Sequence, residues 1–539
     1  MHMEKYLILN TLSYPVLSVI MVVPLFGALL SLLLKNEQRL KVFGMFVTLL
    51  TLVLSLPLYS CFDLHTAKYQ FAELRAWFPL LNLDYVVGVD GISGLLVLLT
   101  TLIMPFCVLC SWRYIGKRVG EFIFVILVME TAMIGVFVSL NTVLFYIFWE
   151  AMLIPMFLLI AVWGGARRDY ASIKFFLYTL CGSIFLLVAI VALYIKTGTF
   201  FIPALMDHEF SFAYQMWIFL ACALAFAIKI PMYPLHTWLP AAHVEAPTAG
   251  SVILASILLK MGGYGFLRFC LPMAPAATVY CMPYLIALSL ISIIFGGYLA
   301  LGQTDIKKLI AYSSVGHMGF VTLGIFLLND QGLKGAILQM INHGITTGGL
   351  FIMVGMIYER THSREIADNS ALGMLMPVYV TFLGIFSLSS LAFPGTNSFV
   401  GEFLVLLGAF KQSSLVGFLA IPGAILAAAY MLRLLQRMVW HDSDGHGHHH
   451  EGEEGDKAHA HALVDLDLRE IIIVVVLAGF VFWIGLYPAP LLKFMDASVA
   501  HLLEQLAAGG IHLPAGGGGH AESHALLELG SWFKQVMPF

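Results

Sequence analysis

Long apolar runs recur from one end of this chain to the other, and they restrict the fold more than any other feature. A run of about 20 apolar residues is enough to cross a bilayer as an α-helix. Of the 539 residues, 60% are hydrophobic and only 11% are charged. Soluble domains are about half apolar and about a quarter charged. The sequence therefore predicts an all-α polytopic membrane protein with about fourteen spans, at residues 13–35, 40–61, 91–112, 120–140, 142–163, 170–196, 213–240, 247–270, 279–302, 306–328, 332–358, 371–410, 415–439 and 468–490.

Basic residues are concentrated in the loops on one side of these spans. They are Lys35, Arg39, Lys41, Arg113, Lys117, Arg118, Arg167, Arg168, Lys174, Lys307, Lys308, Arg360, Arg364, Arg433, Arg437, Lys457 and Arg469. Cytoplasmic loops of membrane proteins carry an excess of Lys and Arg, so we expect both termini to be extracytoplasmic. The first apolar run is too long for a cleaved signal peptide and lacks a small-residue cleavage site.

The loop at 441–467, "HDSDGHGHHHEGEEGDKAHAHALVDLD", is the least membrane-like part of the chain. Its seven histidines are compatible with a metal-binding segment. A solvated loop that buries nothing explains the same composition, and we favour that interpretation. We therefore assign no metal site to this cytoplasmic loop.

The seven cysteines lie mostly within apolar runs, at 61, 107, 110, 181, 222, 270 and 281. Cys107 and Cys110 form a CxxC pair, but no second pair lies nearby. We interpret both as buried, inert thiols in preference to a metal or redox role. The sequence contains no glycine-rich phosphate loop and no iron–sulfur spacing, so we expect no cofactor in this chain.

Six ionisable residues lie inside predicted spans: Glu150, Lys229, Lys260, His317, His343 and Glu402. A charge at the bilayer centre costs at least about 2.5–3.5 kcal/mol, so such residues need partners and must face protein or water. At about 1.5 Å per residue, all six fall near the middle of a hydrocarbon core about 30 Å thick. A single buried histidine is often a satisfied structural group. Six titratable residues at one depth, in six different spans, predict a proton relay.

Two of these spans are interrupted. The stretch "KIPMYPLHTWLP" places three prolines directly after Lys229, and "FPGTNSF" at 393–399 precedes Glu402. Paired interruptions indicate an internal repeat with a transport site at the break, where freed backbone groups hold water and ions. The breaks are five spans apart, an odd number, so the repeats should have inverted topology. A packing kink is the alternative explanation for either break alone.

The first break gives Lys229 a specific chemical property. Burial disfavours the ammonium form, so a membrane-embedded lysine can release its proton. A nearby carboxylate restores the charged form. We therefore expect that movement of Glu150 toward or away from Lys229 switches the lysine between holding and releasing a proton.

Four longer stretches resemble a known family. They are "FWEAMLIPM", "KIPMYPLHTWLPAAHVEAPTAGSVILASILLKMGGYG", "DIKKLIAYSSVGHMGF" and "QMINHGITTGGLFIMVGMIYERTHSREI". They are similar to the chain M family of bacterial NADH:quinone oxidoreductase (respiratory complex I), the homologues of mitochondrial NADH dehydrogenase subunit 4. The likeness extends over roughly residues 75–440. It implies an antiporter-like fold of fourteen helices with two inverted five-helix repeats.

The resemblance implies two repeats and a set of site residues, while the remaining segments follow from the residue pattern, and the His-rich loop is no part of the family's pattern. The segments are 1–119 with helices 1–3 and an ordered extracytoplasmic loop at 62–90, 120–270 as the first repeat, 271–440 as the second, the His-rich loop 441–467, and 468–539 with the last span and a tail. The family's charged positions correspond to Glu150 in span five, Lys229 in the broken span seven, Lys260 in span eight, His317 and His343 in spans ten and eleven, and Glu402 in span twelve. His236 and His243 also lie within a matched motif.

The leading hypothesis is a proton-translocating subunit of NADH:quinone oxidoreductase in the bacterial inner membrane. The resemblance implies that NADH, FMN, iron–sulfur clusters and quinone are held by partner subunits. It also implies neighbours like chains L and N, surrounded by lipid, and no nucleic-acid partner. A subunit of a multisubunit Na⁺/H⁺ antiporter is the main alternative. A structural subunit whose charges only join helices is the third.

Overall fold

Helices dominate the computed structural model, which describes residues 5–81, 83–440 and 463–508. In this part of the chain, twelve helices are long and apolar enough to cross a membrane. The number becomes thirteen if the bent pair Ala367–Leu375 and Pro377–Ser390 forms one span. The all-α polytopic membrane fold is therefore confirmed.

The spans number twelve or thirteen, against the expected fourteen, for two local reasons. The first apolar run forms a helix of only 16 residues, Val16–Ser31. The expected span 371–410 is divided by its break into two shorter helices, Pro377–Ser390 and Asn397–Gln412.

The long helices follow the apolar runs, and polar caps fix several of their first turns. In chain order they are α1 (Val16–Ser31), α2 (Glu37–Ser60), α3 (Ser93–Cys110), α4 (Val119–Val138), α5 (Thr142–Trp163), α6 (Arg168–Thr197), α7 (Phe212–Lys229), α8 (Trp238–Glu245), α9 (Thr248–Met273), α10 (Pro275–Leu301), α11 (Ile306–Phe326), α12 (Asp330–Thr361), α13 (Pro377–Ser390), α14 (Asn397–Gln412), α15 (Ser414–Trp440), α16 (Leu468–Leu486) and α17 (Ala489–Ala508). Side chains of Asn141, Asp305 and Asn329 accept first-turn amides of α5, α11 and α12.

A small sheet was not anticipated by the all-α prediction. It consists of β1 (Leu7–Leu9), β2 (Tyr69–Phe78) and β3 (Leu83–Val89), in the order β1-β2-β3. β2 and β3 are antiparallel, and β1 is parallel to β2. The predicted ordered loop is thus largely a β-hairpin, as its aromatic and β-branched residues favour. We call the membrane face that carries it the sheet side, and the opposite face the basic side.

Both predicted breaks are present. Residues 230–237 separate α7 from α8, and residues 391–396 separate α13 from α14. At the first break, the indole N–H of Trp238 donates to the carbonyl of Ile228 at 2.8 Å. A side chain thus satisfies a backbone group that the interrupted helix leaves free, which is required at membrane depth.

The amphipathic tail segment forms α17, which packs back on the sheet side. Lys334 at the start of α12 bridges to Asp496 at 2.8 Å, and the amide of Gly91 donates to Ser498 at 2.9 Å. Apart from residues 463–467, the predicted His-rich loop lies outside the described residues.

Candidate functional site

Lys229 and Glu150 form the first group of the site. Lys229 is the last residue of α7 and is 1% exposed, and Glu150 lies next to Trp149 on α5. The Lys229 Nζ atom lies 5.2 Å from the ring centre of Trp149 and 5.9 Å from that of Phe175. It interacts electrostatically with Glu150 but has no hydrogen-bond partner among the described residues.

Ring faces and a helix end compensate for the missing hydrogen bonds of Lys229. Cation–π contacts and the negative end of the α7 dipole both favour an ammonium group at this place. The Trp149 indole N–H donates to Ser183 on α6 at 3.0 Å, which fixes the orientation of the ring. The ammonium is thus held by an aromatic cage without a fixed partner atom.

The second group is a continuous chain of four side chains. Lys260 Nζ lies 2.7 Å from His343 Nδ1. The rings of His343 and His317 meet edge to face with 5.8 Å between their centres, and His317 Nδ1 lies 2.8 Å from Glu402 Oε1. All four residues are at most 4% exposed. The fold therefore brings together residues from α9, α11, α12 and α14 that are far apart in sequence.

Irregular backbone positions Lys260. Residues 254–258 and 266–270 of α9 are π-helical, on either side of the lysine. Lys260 Nζ donates to the carbonyl of Ala255 in the first π segment, and Ser256 in the same segment donates to Gly344 O on α12 at 2.7 Å. π-Bulges occur often at functional sites.

Glu402 and the second break share one polar network. Gln339 donates to Glu402 Oε1 at 2.9 Å. Asn397, the first residue of α14, accepts from Ser389 at 2.6 Å through its side chain and from Asn342 at 2.7 Å through its carbonyl. The polar residues around "FPGTNSF" therefore hold the broken helix in place, a role that the sequence did not assign to them.

The two motif histidines are placed differently. His243 on α8 is fully buried, stacks on Phe351 with 4.5 Å between ring centres, and lies within electrostatic reach of Lys260. His236 lies in the first break and packs against Phe295. Among the described residues, neither histidine forms a hydrogen bond to the six central residues, but His243 is near their second group.

Several known proteins are similar to this chain in sequence. The family model described as "NADH:quinone oxidoreductase/Mrp antiporter, TM" matches residues 139–427. NADH-quinone oxidoreductase subunit M of Rhodobacter capsulatus is 45% identical over 481 residues, which cover 87% of this chain and 91% of that protein. The chain belongs to the subunit M family of NADH:quinone oxidoreductase. NADH-ubiquinone oxidoreductase chain 4 of Marchantia polymorpha, at 42% identity over 91% of this chain and 97% of its own length, extends the family to mitochondrial relatives.

Solved structures share the fold. A chain in the structure described as respiratory complex I from Thermus thermophilus with bound NADH superposes with a TM-score of 0.82 at 30% identity, covering 91% of this chain and 99% of its own. A chain of an Mrp complex from Dietzia reaches 0.77 at 21% identity, covering 96% and 56%, which shows the fold alone. The subunit M family assignment confirms the predicted membership, the antiporter-like fold and the place of this chain as a membrane subunit of a redox enzyme.

Sequence reasoning missed two buried features of this family member. Glu130 on α4 is 0% exposed, and neither carboxylate oxygen has a hydrogen-bond partner in the described part of the chain. It lies in the apolar run "ILVMETAM", so the criterion that selected Glu150 should have selected it. Arg268 and Asp90 form a buried ion pair near the sheet side. Both residues lie near the ends of predicted spans, so a search for charges in the middle of spans did not select them.

The remaining sequence predictions concern metals and thiols. In residues 5–81, 83–440 and 463–508, no cluster of three or more His, Cys, Asp or Glu side chains could hold a metal ion. Cys107 and Cys110 are buried and free, and the Cys110 thiol donates to the carbonyl of Cys107 at 3.4 Å. That geometry agrees with their interpretation as inert thiols.

Proposed function

We propose that this chain moves protons across the membrane as the antiporter-like subunit of its complex. The proton-carrying residues are Glu150, Lys229, Lys260, His317, His343 and Glu402. The observation that carries the proposal is the contact chain from Lys260 to Glu402. Each member can hold and release a proton, and each contacts the next through a hydrogen bond or a ring contact. A merely structural ion pair would not need two histidines between its charges.

The first group acts as the switch. When Glu150 is close and ionised, it stabilises the ammonium form of Lys229. When the carboxylate moves away or is protonated, desolvation outweighs the cation–π contacts and leaves Lys229 free to lose its proton. A change of charge or position transmitted from neighbouring subunits therefore becomes a proton-transfer step in this chain.

Protons enter from the basic side. A pocket of about 200 Å³ opens there, and Lys174, Thr237 and Glu245 are among its lining residues. His236 directly precedes Thr237 in the first break, so its ring is suited to carry protons inward. His243 supplies a second buried imidazole beside Lys260. Both histidines are therefore included in the proposed site.

The second group conducts laterally. The ammonium of Lys260 gives a proton to His343, whose ring faces His317, and His317 passes a proton to the carboxylate of Glu402. Glu402 is the last group of this chain, from which protons continue to the outer face or to the path of the next subunit. A carboxylate is suited to that place because its charged form is stable in contact with water.

Two repeats, neighbouring subunits and lipid form the surroundings of the site. The segments 120–270 and 271–440 are two inverted repeats, each with one break. Neighbours like chains L and N flank the chain in the inner membrane, lipid covers its remaining sides, and NADH, FMN, iron–sulfur clusters and quinone are held by other subunits. The basic side faces the cytoplasm, and both termini are outside.

The test is proton pumping by inverted membrane vesicles, normalised to the amount of assembled complex. We expect Glu150→Ala to abolish nearly all pumping and quinone-linked NADH oxidation while the complex still assembles. Glu150→Asp should retain more activity than Glu150→Gln, because it keeps the charge. Replacement of Na⁺ by choline in the same assay distinguishes proton pumping from Na⁺/H⁺ exchange, since only an exchanger needs the cation.

Glu130→Gln is the matched control. It also removes one membrane-embedded carboxyl group, but from a position outside both groups of the site. We expect Glu130→Gln to pump at the wild-type rate. Normal pumping by assembled Glu150→Ala membranes would contradict the proposed role of the first group.

A further inference from the structure

A second pocket lies on the sheet side, away from the six central residues. It has a volume of about 290 Å³ and lies between the start of the chain, the loop before β2, the end of α9 and helix α17. Asp90, Arg268, Asp207, Lys68 and His501 are among its lining residues. We call it the sheet-side pocket. It combines acidic and basic groups where a membrane span meets water.

The inner wall of the sheet-side pocket is a buried ion pair. Arg268 on α9 is 7% exposed, Asp90 before α3 is 3% exposed, and their side chains are in contact. Asp90 Oδ1 also accepts the amide of Ser93 at 2.9 Å. The Nε atom of Arg268 has no hydrogen-bond partner among the described residues. The guanidinium therefore keeps a free donor at the edge of the pocket.

A stripe of three side chains on α9 joins this ion pair to the centre of the molecule. Lys260 and Tyr264 are four residues apart in the α-helical segment Leu259–Gly265, the spacing that places side chains on one helix face, and Arg268 follows in the second π segment. The Arg268 guanidinium lies 5.2 Å from the ring centre of Tyr264, and the Tyr264 hydroxyl is within electrostatic reach of Asp90. Eight residues of helix span about 12 Å, close to the half-thickness of about 15 Å of the hydrocarbon core.

The opposite wall of the pocket keeps a negative charge. Asp207 accepts hydrogen bonds from Tyr6 at 2.6 Å and from Lys5 at 2.9 Å. Burial alone would raise the pKa of Asp207, but the bonds from Tyr6 and Lys5 outweigh it and hold that pKa below its usual range. Asp207 therefore stays ionised, in an ion pair with Lys5.

We infer that the sheet-side pocket is the mouth of a proton exit that begins at Lys260 and runs through Tyr264 and the Asp90–Arg268 pair. The inference rests on the proposed proton-carrying function. Under the proposed orientation, the pocket opens to the outside of the cell. Glu402 then serves the lateral path to the neighbouring subunit, both paths start at Lys260, and each pumping cycle needs both of them.

The transfer balances in protons and charge. Lys260 loses a proton to the hydroxyl oxygen of Tyr264, which passes its own proton to the Asp90 carboxylate. Lys260 becomes neutral and Asp90 becomes a neutral acid. The guanidinium of Arg268, no longer paired with an anion, favours release of that proton into the pocket, and release restores the ion pair. Arg268 acts throughout as a fixed positive charge, because it does not deprotonate in proteins.

Blocking the sheet-side pocket with a bulky label tests the proposed proton exit directly. In a Cys61→Ser background, Ala67 in the pocket wall is replaced by cysteine. Intact cells are treated with a bulky, membrane-impermeant thiol reagent, and inverted vesicles of the whole complex are then assayed for pumping. We expect the reagent to lower the pumping rate of Ala67→Cys about ten-fold, which corresponds to about 1.4 kcal/mol of added barrier.

The matched control is Leu80→Cys, at the 93% exposed tip of the hairpin. It should be labelled at least as fully without loss of pumping. Complete labelling of Ala67→Cys with unchanged pumping would overturn the exit. If Glu150→Ala abolishes pumping in the same vesicles, that result rejects the exit alone. If Glu150→Ala pumps normally, the proposed function fails.

Tyr264→Phe tests the stripe without disturbing the ion pair. The variant removes only the hydroxyl, which now donates to Phe137 O at 3.3 Å. Removal of a proton-transfer group typically costs about a hundred-fold or more, so we expect a fall of at least about ten-fold. The control is Tyr379→Phe, a fully buried tyrosine that also donates to a backbone carbonyl, Met353 O at 3.2 Å. Equal pumping by the two variants would exclude Tyr264 from the path.

Discussion

Lys229 is surrounded by aromatic rings and has no hydrogen-bond partner among the described residues, whereas Lys260 donates to the carbonyl of Ala255 and lies 2.7 Å from His343. Both lysines are almost fully buried, and both lie beside an irregularity of their helix. The same residue type therefore occurs in two environments: one with a diffuse partner and one with fixed partner atoms.

This difference indicates different roles in one pathway. A cation–π contact stabilises an ammonium by about 0.5–2 kcal/mol and depends weakly on position. A hydrogen bond to a charged group contributes about 1.5–3 kcal/mol and depends strongly on geometry. Lys229 can thus change its proton occupancy when Glu150 moves slightly. In the chain from Lys260 to Glu402, by contrast, two of the three links are hydrogen bonds between fixed atoms, and a ring contact joins the two histidines.

The largest expected effect concerns the switch. Lys229→Arg keeps the positive charge and the contact with the aromatic rings, but an arginine does not release its proton in a protein. We expect it to lose pumping and quinone-linked NADH oxidation as completely as Lys229→Ala, with the complex still assembled. The measurement is pumping in inverted vesicles, normalised to assembled complex. Wild-type pumping by Lys229→Arg would show that only the positive charge is required at this position. It would contradict the proposal that Lys229 releases a proton whereas Lys260 passes one along fixed contacts.

The next effect concerns the end of the aligned chain. Glu402→Gln keeps a side chain that can bond His317 and Gln339 but does not titrate, so we expect pumping to fall about ten-fold or more, since a lost general acid–base group usually costs at least that. Glu402→Ala should be equally poor. Glu402→Lys should be partly tolerated, because it keeps protonation chemistry with the opposite charge. The same vesicle assay measures all three.

Gln339→Met is the control for this comparison. It removes the hydrogen bond to Glu402 and leaves a titrating carboxyl group. Because Glu402 keeps its carboxyl group, Gln339→Met should retain more pumping than Glu402→Gln. If Glu402→Gln pumps like the wild type, the residue does not change protonation in the cycle, and the lateral route must leave from His343.

The sequence predicted the parts of the site but not their pairing. Charged residues inside apolar runs can be recognised from the sequence because burial of a charge in the membrane is costly. The first break can be recognised from its prolines. The pairing of Lys260 with His343, and of His317 with Glu402, depends on how α9, α11, α12 and α14 pack. That packing is a tertiary property without a local signal.

Other features were invisible for different reasons. The β-hairpin lies between spans, where an apolar pattern does not distinguish a strand from an ordered loop. Asn397 and its partners are neutral polar residues, which a search for charges ignores. Glu130 is the exception, since its own position in an apolar run was sufficient to find it.

A smaller effect is expected from the aromatic cage. Trp149→Phe keeps a ring near Lys229 but weakens its quadrupole and removes the bond to Ser183. We expect pumping to fall about two- to five-fold, which corresponds to about 0.5–1 kcal/mol of cation–π stabilisation. Ser183→Ala is the control, since it leaves the indole in place and removes only its anchor. A Trp149→Phe loss as large as that of Lys229→Ala would indicate that the ring, and not the amine, is the essential element.

The smallest effect is expected from deletion of residues 442–462. This polar segment lacks apolar residues to bury, so its removal should leave assembly and pumping close to wild type. The chain on either side is anchored independently. A Cβ on Gly373 would lie 3.0 Å from the carbonyl oxygen of Val439, and Asp465 accepts the amide of Val378 at 2.8 Å. The described residues that flank the deleted segment, Val439 and Asp465, thus both lie near the start of α13. The amount of assembled complex and the pumping rate are the measurements.

Asp465→Ala is the comparison for this deletion, because the substitution should have a measurable effect on assembly. Asp465 accepts the first amides of α13, from Val378 and Tyr379, in the manner of a helix cap. Loss of such a cap costs about 1 kcal/mol, so the single substitution should reduce the assembled complex more than the deletion does. The reason is position, since α13 leads into the break before Glu402. A large loss of assembly or pumping on deletion, with Asp465→Ala unaffected, would mean that the histidine-rich segment binds something the complex requires.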